Sequence, residues 1–232
     1  MANANEILDT IVDHAQPQRS ERWLEAACGP GIVSRRFAPL AKSVHGVDLV
    51  PAMIDTARRE AAAAGIDNLT FEVADATATE LPTASFDGAV TRFSIHHLPV
   101  PARLFGELAR VVRPGGRIAV LDHLADEEVE ARAWSQEIER LRDPSHWACL
   151  SADRLRALGQ RAGLQLTHQQ RFAFELDFDD WLQRGTDDPT AQGLAELALY
   201  DRPAATECFT VQGRDQGRVL RLQMWLGLWE RT

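Results

Sequence analysis

The 232-residue sequence predicts an α/β protein built around a mostly parallel sheet. Short apolar runs alternate with amphipathic helical stretches through the first half of the chain, which is the pattern of successive βαβ units. The closing segment alternates apolar and polar residues, as a strand with one buried face does. Hydrophobic residues make up 45% and charged residues 25%, so the composition is that of an ordinary globular chain. We therefore expect one domain over residues 1–232 with a sizeable core.

The first two predicted strands flank a glycine-rich turn. Residues 22–27 form the first strand, and residues 28–31 (Cys-Gly-Pro-Gly) turn the chain into a helix that runs to about Leu40. Residues 43–48 form the second strand. A glycine-rich turn between a strand and a helix lets a ligand approach the backbone closely, and the helix start offers free N–H groups.

A helix over residues 52–64 follows, because Pro51 suits the first helical turn and Gly65 tolerates the left-handed cap conformation. The first half then continues with four more elements: a strand at 69–74, a strand at 86–93, a helix at about 101–112 and, after a turn at 113–116, a strand at 117–121.

The pattern changes from Asp126 onward. A long charged helix runs to about Arg142, and a second helix is capped by Ser151 and closed by Gly163. Three segments complete the chain: a strand at 165–174, an acidic stretch of short helices and loops at 177–205, and a hairpin that turns at Asp215-Gln216-Gly217 into a strand at 219–229.

Charge and composition exclude several classes of function. Lys and Arg number 25 against 34 Asp and Glu, and the net charge of −9 has the wrong sign for a protein that binds nucleic acid or an anionic membrane. No apolar run approaches membrane-spanning length, and the first residues lack the parts of a secretion signal. We therefore expect a cytoplasmic protein without a nucleic-acid partner or membrane insertion.

Residue usage removes further chemistries. Lys42 is the single lysine and Tyr200 the single tyrosine, so a Schiff-base lysine, a lysine phosphate loop or a Tyr-x-x-x-Lys pair has no place. The three cysteines, Cys28, Cys149 and Cys208, are widely spaced, contain no C-x-x-C pair and are expected to be reduced thiols.

Acidic residues at strand ends indicate which ligand the glycine-rich turn binds. The turn also fits a dinucleotide fingerprint, with Asp48 at the distance of a ribose-binding acid. Glu25, however, would repel a pyrophosphate and would suit a ligand that carries an ammonium and a sulfonium. Asp75, at the end of the third strand, is placed to accept a hydrogen bond from an adenine amine.

Six motifs in order over residues 22–122 resemble one family, the class I S-adenosylmethionine-dependent methyltransferases of the ubiquinone/menaquinone-biosynthesis type. They are Glu25-x-x-Cys28-Gly29-x-Gly31, Gly46-Val47-Asp48-x-x-Pro51-x-Met53, Ala74-Asp75-Ala76, Leu81-Pro82 with Ser85-Phe86-Asp87, Ile95-His96-His97-Leu98 and Arg113-Pro114-Gly115-Gly116.

The resemblance implies a Rossmann-like methyltransferase fold, in which a doubly wound, mostly parallel seven-stranded sheet has an antiparallel last strand. It also implies a helical lid region. The cofactor-binding core would span about 20–125 and the acceptor and lid region about 126–205, with closing strands at about 165–174 and 206–230. Strand four ends in Thr-Arg-Phe-Ser instead of Asn-Pro-Pro-aromatic, which argues against amino groups of nucleic acid or protein as acceptors.

The cofactor implied by the resemblance is S-adenosyl-L-methionine, and its binding residues carry over position by position. They are Glu25, Ala27, Gly29 and Gly31 for the methionine part, Asp48 for the ribose hydroxyls, Leu49 and Met53 against the adenine ring, Asp75 and Ala76 at the adenine edge, and Thr91 and Arg92 beside the sulfonium.

Three histidines are candidate catalytic residues. His96 follows strand four and His123 follows strand five, at the edge where open α/β sheets bind ligands. His146 belongs to the region that would cover the acceptor. No two histidines have the spacing of a helical metal site, so we expect no metal.

The expected function is methyl transfer from S-adenosylmethionine to an oxygen, nitrogen or activated carbon of a small-molecule acceptor. Residues 126–146 and the N-terminal segment are expected to close over the cofactor, because chemistry at a sulfonium requires exclusion of water. Two alternatives remain open: a cofactor-binding protein of this fold with a regulatory or non-methylating role, and an NAD(P)-dependent oxidoreductase.

Overall fold

The computed structural model describes residues 4–213 and 217–232. Eight α-helices and eight strands lie within this part of the chain. In order they are α1 Ala4–Ala15, β1 Arg22–Ala26, α2 Ile32–Phe37, β2 Ser43–Asp48, α3 Pro51–Ala63, β3 Leu69–Val73, β4 Phe86–Arg92, α4 Pro101–Val111, β5 Val112–His123, α5 Val129–Arg142, α6 Ala152–Arg161, β6 Leu164–Asp177, α7 Phe178–Gln183, α8 Pro189–Ala198, β7 Phe209–Gln212 and β8 Val219–Arg231.

The strands form one sheet in the order β3-β2-β1-β4-β5-β8-β6. Strands β1 to β5 pair in parallel, and β8 runs antiparallel to β5 and β6. The predicted doubly wound sheet with an antiparallel last strand is therefore confirmed.

The sheet also has a short eighth strand, β7, within the predicted closing segment 206–230, so the strand count exceeds the predicted seven by one. Pairing between β5 and β8 ends at His123 opposite Met224, and the remaining edge of β8 pairs with β7 from Phe209 opposite Leu222. The turn residues Asp215 and Gln216 of the predicted hairpin lie outside the described residues.

The sheet is packed on both faces by apolar side chains. One core cluster contains Trp23 and Phe37, and a second contains Phe105, Trp225 and Trp229. A smaller third cluster includes Phe71. The central strands are buried almost throughout, as parallel strands covered by helices are.

Helix α1 is the element that the sequence patterns do not predict. Its Ile7 and Ile11 are fully buried in the core, and the helix contacts α2, β5 and β8. From Ala4 onward the N-terminal segment is thus a packed part of the core, and α1 lines neither of the two cavities described below. Residues 1–3, to which the expectation of closure also applies, lie outside the described part.

Helix ends agree with their predicted caps. Ser151 accepts from the Arg154 N–H at the start of α6, and Gly65 and Gly163 have φ of +64° and +78° after α3 and α6. Boundaries shift by a few residues elsewhere: α2 ends at Phe37 and β6 extends to Asp177.

The carboxyl ends of β1 to β5 meet at one edge of the sheet because these strands are parallel. The loops that follow them therefore bring together residues that are far apart in sequence, from Glu25 to His123. Among the described helices, none is both long and apolar enough to cross a membrane.

Candidate active site

Two cavities open along the carboxyl edge of the sheet. The glycine-loop cavity, of about 590 Å³, lies over the ends of β1, β2 and β3. The histidine cavity, of about 540 Å³, lies beside the ends of β4 and β5 and under α5. They share four wall residues: Arg92, Phe93, His97 and Asp143.

Nine of the eleven predicted cofactor residues line the glycine-loop cavity. They are Glu25, Ala27, Gly29, Asp48, Leu49, Met53, Asp75, Ala76 and Arg92. The wall also holds residues outside the predicted cofactor set, among them Ser94, Asp143 and Ser145. Asp143 and Ser145 come from the segment after α5, whose place over the sheet is set by tertiary packing.

The other two predicted residues, Gly31 and Thr91, do not line this cavity. Gly31 has φ +73°, and a Cβ there would lie 2.9 Å from the Phe71 ring, so this glycine lets the turn close against β3. The fully buried Thr91 hydroxyl donates to the Ala26 carbonyl (2.8 Å), which ties β4 to β1. Both residues therefore support the cavity wall without lining the cavity.

Asp48 holds the glycine turn in place. Its Oδ2 accepts from the Gly29 N–H (2.7 Å), and its Oδ1 accepts from the Val50 N–H (2.9 Å). A carboxylate can accept about four hydrogen bonds, so each oxygen keeps capacity for a ligand hydroxyl. Asp48 thus fixes the loop and faces the cavity with the same side chain.

Glu25 places a second carboxylate under the cavity. Only 3% of Glu25 is exposed, and its Oε2 accepts from the backbone N–H (2.7 Å) and the hydroxyl of Ser34. Burial raises the pKa of Glu25 to about 7, while the Ser34 hydrogen bonds and the nearby Arg92 charge oppose that rise. A cation bound in the cavity would favour the ionised form.

Apolar side chains form a shelf on the outer wall of the glycine-loop cavity. Leu49, Val50 and Met53 are 68%, 48% and 42% exposed, high values for large apolar residues. Three such side chains together on one cavity wall mark a surface that a flat apolar group can cover.

The end of β4 separates the two cavities. Phe93 has φ +54°, a conformation that few bulky residues adopt, and the Arg92 guanidinium lies 4.3 Å from the centre of its ring. The Nε of Arg92 is buried and has no hydrogen-bond partner among the described residues. Strained backbone of this kind concentrates at functional sites.

His96 is held by a carboxylate in the floor of the histidine cavity. Its Nδ1 lies 2.7 Å from Asp122 Oδ1, and Asp122 also accepts from the Ile95 and His123 N–H groups. Burial alone would lower the pKa of His96, but Asp122 outweighs burial, so this pKa is raised. With Nδ1 engaged by Asp122, Nε2 is the ring nitrogen left for a ligand.

His123 also lines this cavity, with its ring centre 4.3 Å from that of His96. Burial and the neighbouring His96 lower the pKa of His123 well below its usual value, which keeps its ring neutral. Glu139 of α5 faces it, and burial raises the pKa of Glu139 to about 7.

His146 lies outside both cavities. It is 5% exposed, and its Nε2 lies 2.6 Å from Gln136 Oε1 on α5. Burial and nearby His96 lower the pKa of His146 to about 3. Its ring centre is 5.6 Å from that of His96, so His146 packs behind the site and supports it.

Comparison with known proteins agrees with this arrangement. Residues 24–120 match the family model described as a methyltransferase domain. The chain is 28% identical over 180 residues to YcgJ, an uncharacterized methyltransferase of Bacillus subtilis, in an alignment that covers 78% of this chain and 71% of YcgJ. It is 36% identical over 112 residues to the aklanonic acid methyltransferase DauC of a Streptomyces species, covering 47% of this chain and 51% of DauC.

The fold has a solved counterpart. The crystal structure of YcgJ from Bacillus subtilis superposes with a TM-score of 0.92 and 24% identity over 98% of both chains. Residues 24–120 thus match a methyltransferase domain, and the chain as a whole shares the Rossmann-like fold of YcgJ.

Proposed function

We propose that this chain binds S-adenosylmethionine in the glycine-loop cavity and transfers its methyl group to a small molecule held in the histidine cavity. The observation that carries this proposal is the shared wall at Arg92 and Phe93, where the two cavities meet. Methyl transfer is an in-line displacement, so it needs donor and acceptor in adjoining sites.

The glycine-loop cavity has the chemistry that the cofactor requires. Glu25, Asp48 and Asp75 supply carboxylates for the ammonium, the ribose hydroxyls and the adenine amine, and the exposed Met53 and Leu49 suit the adenine face. The cofactor supplies an electrophilic methyl on a sulfonium and leaves as a neutral sulfide.

The histidine cavity suits a partly apolar acceptor with an acidic group. Phe174, Trp181 and Leu222 provide apolar walls. Three guanidinium groups line the same cavity against two carboxylates, in a protein whose net charge is −9. The charged lining residues are Arg92, Arg142, Arg184, Glu139 and Asp143. DauC is named for a small-molecule acid, which agrees with this class of acceptor.

His96 is placed to orient the acceptor or to take its proton. An oxygen or nitrogen nucleophile of the acceptor would give its proton to His96 Nε2 while it takes the methyl group that the bound cofactor would supply, with the cofactor's sulfide as leaving group. Asp122 fixes the ring tautomer and favours the imidazolium that results. His123 lines the same floor, whereas His146 acts through the packing behind it.

Calorimetric titration with S-adenosylhomocysteine tests the cofactor site. We expect binding to the intact chain, and Asp48→Ala should weaken it by about 1.5 to 3 kcal/mol because charge-assisted hydrogen bonds to two hydroxyls are lost. Asp55→Ala, an exposed acid on α3, is the matched control. Binding of NAD(P) without binding of S-adenosylhomocysteine would contradict the proposal and favour an oxidoreductase.

Screening small acidic acceptors with methyl-labelled S-adenosylmethionine and mass spectrometry tests the transfer. Label should appear in a product together with S-adenosylhomocysteine. Tight cofactor binding without turnover of any acceptor would favour a sensing or non-methylating role. The cytoplasmic location and the absence of a nucleic-acid partner stay predictions.

A further inference from the structure

Three side chains of metal-ligand type converge beneath the histidine cavity. His123 at the end of β5, Glu139 in the last turn of α5 and Cys149 before α6 have ligand atoms that all lie within 4.8 Å of one another. His123 Nδ1 is 3.5 Å from Glu139 Oε1, and His123 Nε2 is 3.3 Å from Cys149 Sγ. All three residues are more than 90% buried.

The group contains a polar atom that the protein leaves unused. Glu139 is 3% exposed, and its Oε1 accepts no hydrogen bond from any residue in the described part of the chain. A buried carboxylate oxygen without a hydrogen-bond donor is costly unless a cation or another group satisfies it. Oε1 lies 3.5 Å from His123 Nδ1, and Cys149 Sγ approaches the other nitrogen of the same ring, so the three side chains are in mutual reach.

Neighbouring polar groups hold these side chains in place. Gln136 Oε1 accepts from the Cys149 N–H (2.9 Å), which fixes the position of the thiol relative to α5. Asp122 Oδ1 lies 3.7 Å from His123 Nε2 and 2.7 Å from His96 Nδ1. Outer carboxylates and amides of this kind orient the ligands of metal sites.

We infer that His123, Glu139 and Cys149 form a binding site for a divalent transition metal, with Zn²⁺ the best match. A set of one nitrogen, one carboxylate oxygen and one sulfur suits zinc, whereas Mg²⁺ and Ca²⁺ prefer oxygen ligands. Cys149 loses its proton to solvent when it binds the metal.

The site has an open side that faces the acceptor. His123 and Glu139 both line the histidine cavity, so a metal held by three protein ligands can take its fourth ligand from there. A hydroxyl or thiol of the acceptor is the class of group that zinc would bind and hold deprotonated. This role rests on the proposed methyl transfer, while the metal site itself does not.

Metal binding is measured on the full chain after removal of metals by a chelator, without S-adenosylmethionine or acceptor. Zinc is titrated in competition with a chromophoric chelator, and Co²⁺ is used as a spectroscopic substitute. We expect one equivalent of zinc and, with Co²⁺, a thiolate-to-metal charge-transfer band in the near ultraviolet.

Matched variants assign the ligands. Cys149→Ser should remove the charge-transfer band and weaken zinc binding by about 100-fold or more, and Glu139→Gln should weaken zinc binding but keep the band. Cys28→Ser, at a second buried cysteine that lines the glycine-loop cavity and is not one of the three ligands, should keep both. Circular dichroism checks that each variant is folded. If Cys149→Ser does not fold, the weaker zinc binding expected of Glu139→Gln still tests the site.

Two results would overturn the metal site: no stoichiometric zinc binding at micromolar concentration, or an unchanged cobalt band in folded Cys149→Ser. Titration with S-adenosylhomocysteine on the same preparation separates this inference from the proposed function. A chain that binds zinc but not S-adenosylhomocysteine would contradict the methyl-transfer proposal and leave the metal site standing.

Discussion

At the scale of single residues, the site depends on carboxylates that do two things at once. Asp48 anchors the glycine turn through Gly29 while it faces the cavity, and Asp122 positions both His96 and the turn at Ile95. Substitution of either residue therefore changes the shape of the site as well as its charge.

The pH dependence of cofactor binding should report on Glu25. Its pKa is raised to about 7 by burial, and the cofactor's ammonium favours the ionised form. Affinity for S-adenosylhomocysteine should therefore rise as pH increases through about 7 and level off above it. Calorimetry from pH 5.5 to 8.5 measures this. The slope should vanish in Glu25→Gln and persist in Glu80→Gln, an exposed control.

The same shift predicts how stability changes with pH. The pKa of Glu25 in the folded protein lies above the usual value of 4.5. The side chain therefore contributes its full stabilisation below pH 4.5, and this stabilisation is lost as pH rises through about 7. At pH 8, Glu25→Gln should accordingly be more stable than the unsubstituted chain by roughly 1 to 3 kcal/mol in urea unfolding. Lower stability of this variant at pH 8 would mean that the buried charge is well compensated.

His96→Ala tests the proton-handling step. Loss of the imidazole should lower turnover by about 10² to 10⁴-fold when the acceptor must lose a proton, with cofactor affinity unchanged. His168→Ala is the control, because the His168 ring packs against His14 and lines neither cavity. Turnover is measured with an acceptor found by the label screen. Unchanged turnover in His96→Ala would assign the step to another group.

At the scale of elements, strand ends and turns were predictable, whereas the cover of the site was predictable only as the range 126–146 and not by residue. The motifs place Glu25, Asp48 and Asp75 correctly in the cavity wall, because loops after parallel strands share one edge. Asp143 and Ser145 have no local pattern that marks them, since tertiary packing of the segment after α5 brings them to the cavity. His146 follows the same segment but faces Gln136 instead.

The expectation that no metal is bound also depended on local spacing alone. A search for ligands spaced along one helix finds none in this sequence, yet His123, Glu139 and Cys149 come together from three separate elements. Similarly, α1 carries no motif, and its place in the core depends on contacts with α2, β5 and β8.

The glycine turn makes a direct prediction about folding. Gly31→Ala should destabilise the protein by about 1 to 3 kcal/mol, because φ is +73° and the new Cβ would meet the Phe71 ring. Gly106→Ala is the matched control: it is exposed in α4 with open space around it, and alanine there should stabilise by about 0.5 to 1 kcal/mol. Urea unfolding of both variants measures the contrast, and equal effects would contradict it.

At the scale of the whole molecule, one continuous sheet carries both cavities. The carboxyl ends of β1 to β3 bound the glycine-loop cavity, and those of β4 and β5 bound the histidine cavity. The mostly parallel sheet with an antiparallel last strand could be predicted from the motifs and their resemblance. The acceptor could not, because Phe174, Trp181 and Leu222 come from β6, α7 and β8, outside every motif.

A crystal structure with S-adenosylhomocysteine would test whether the two cavities hold donor and acceptor side by side. We expect the ligand to occupy the glycine-loop cavity, with its ribose on Asp48 and its sulfur at the wall formed by Arg92 and Phe93, facing His96. A ligand whose ribose lies away from Asp48, or whose sulfur points away from the histidine cavity, would contradict it.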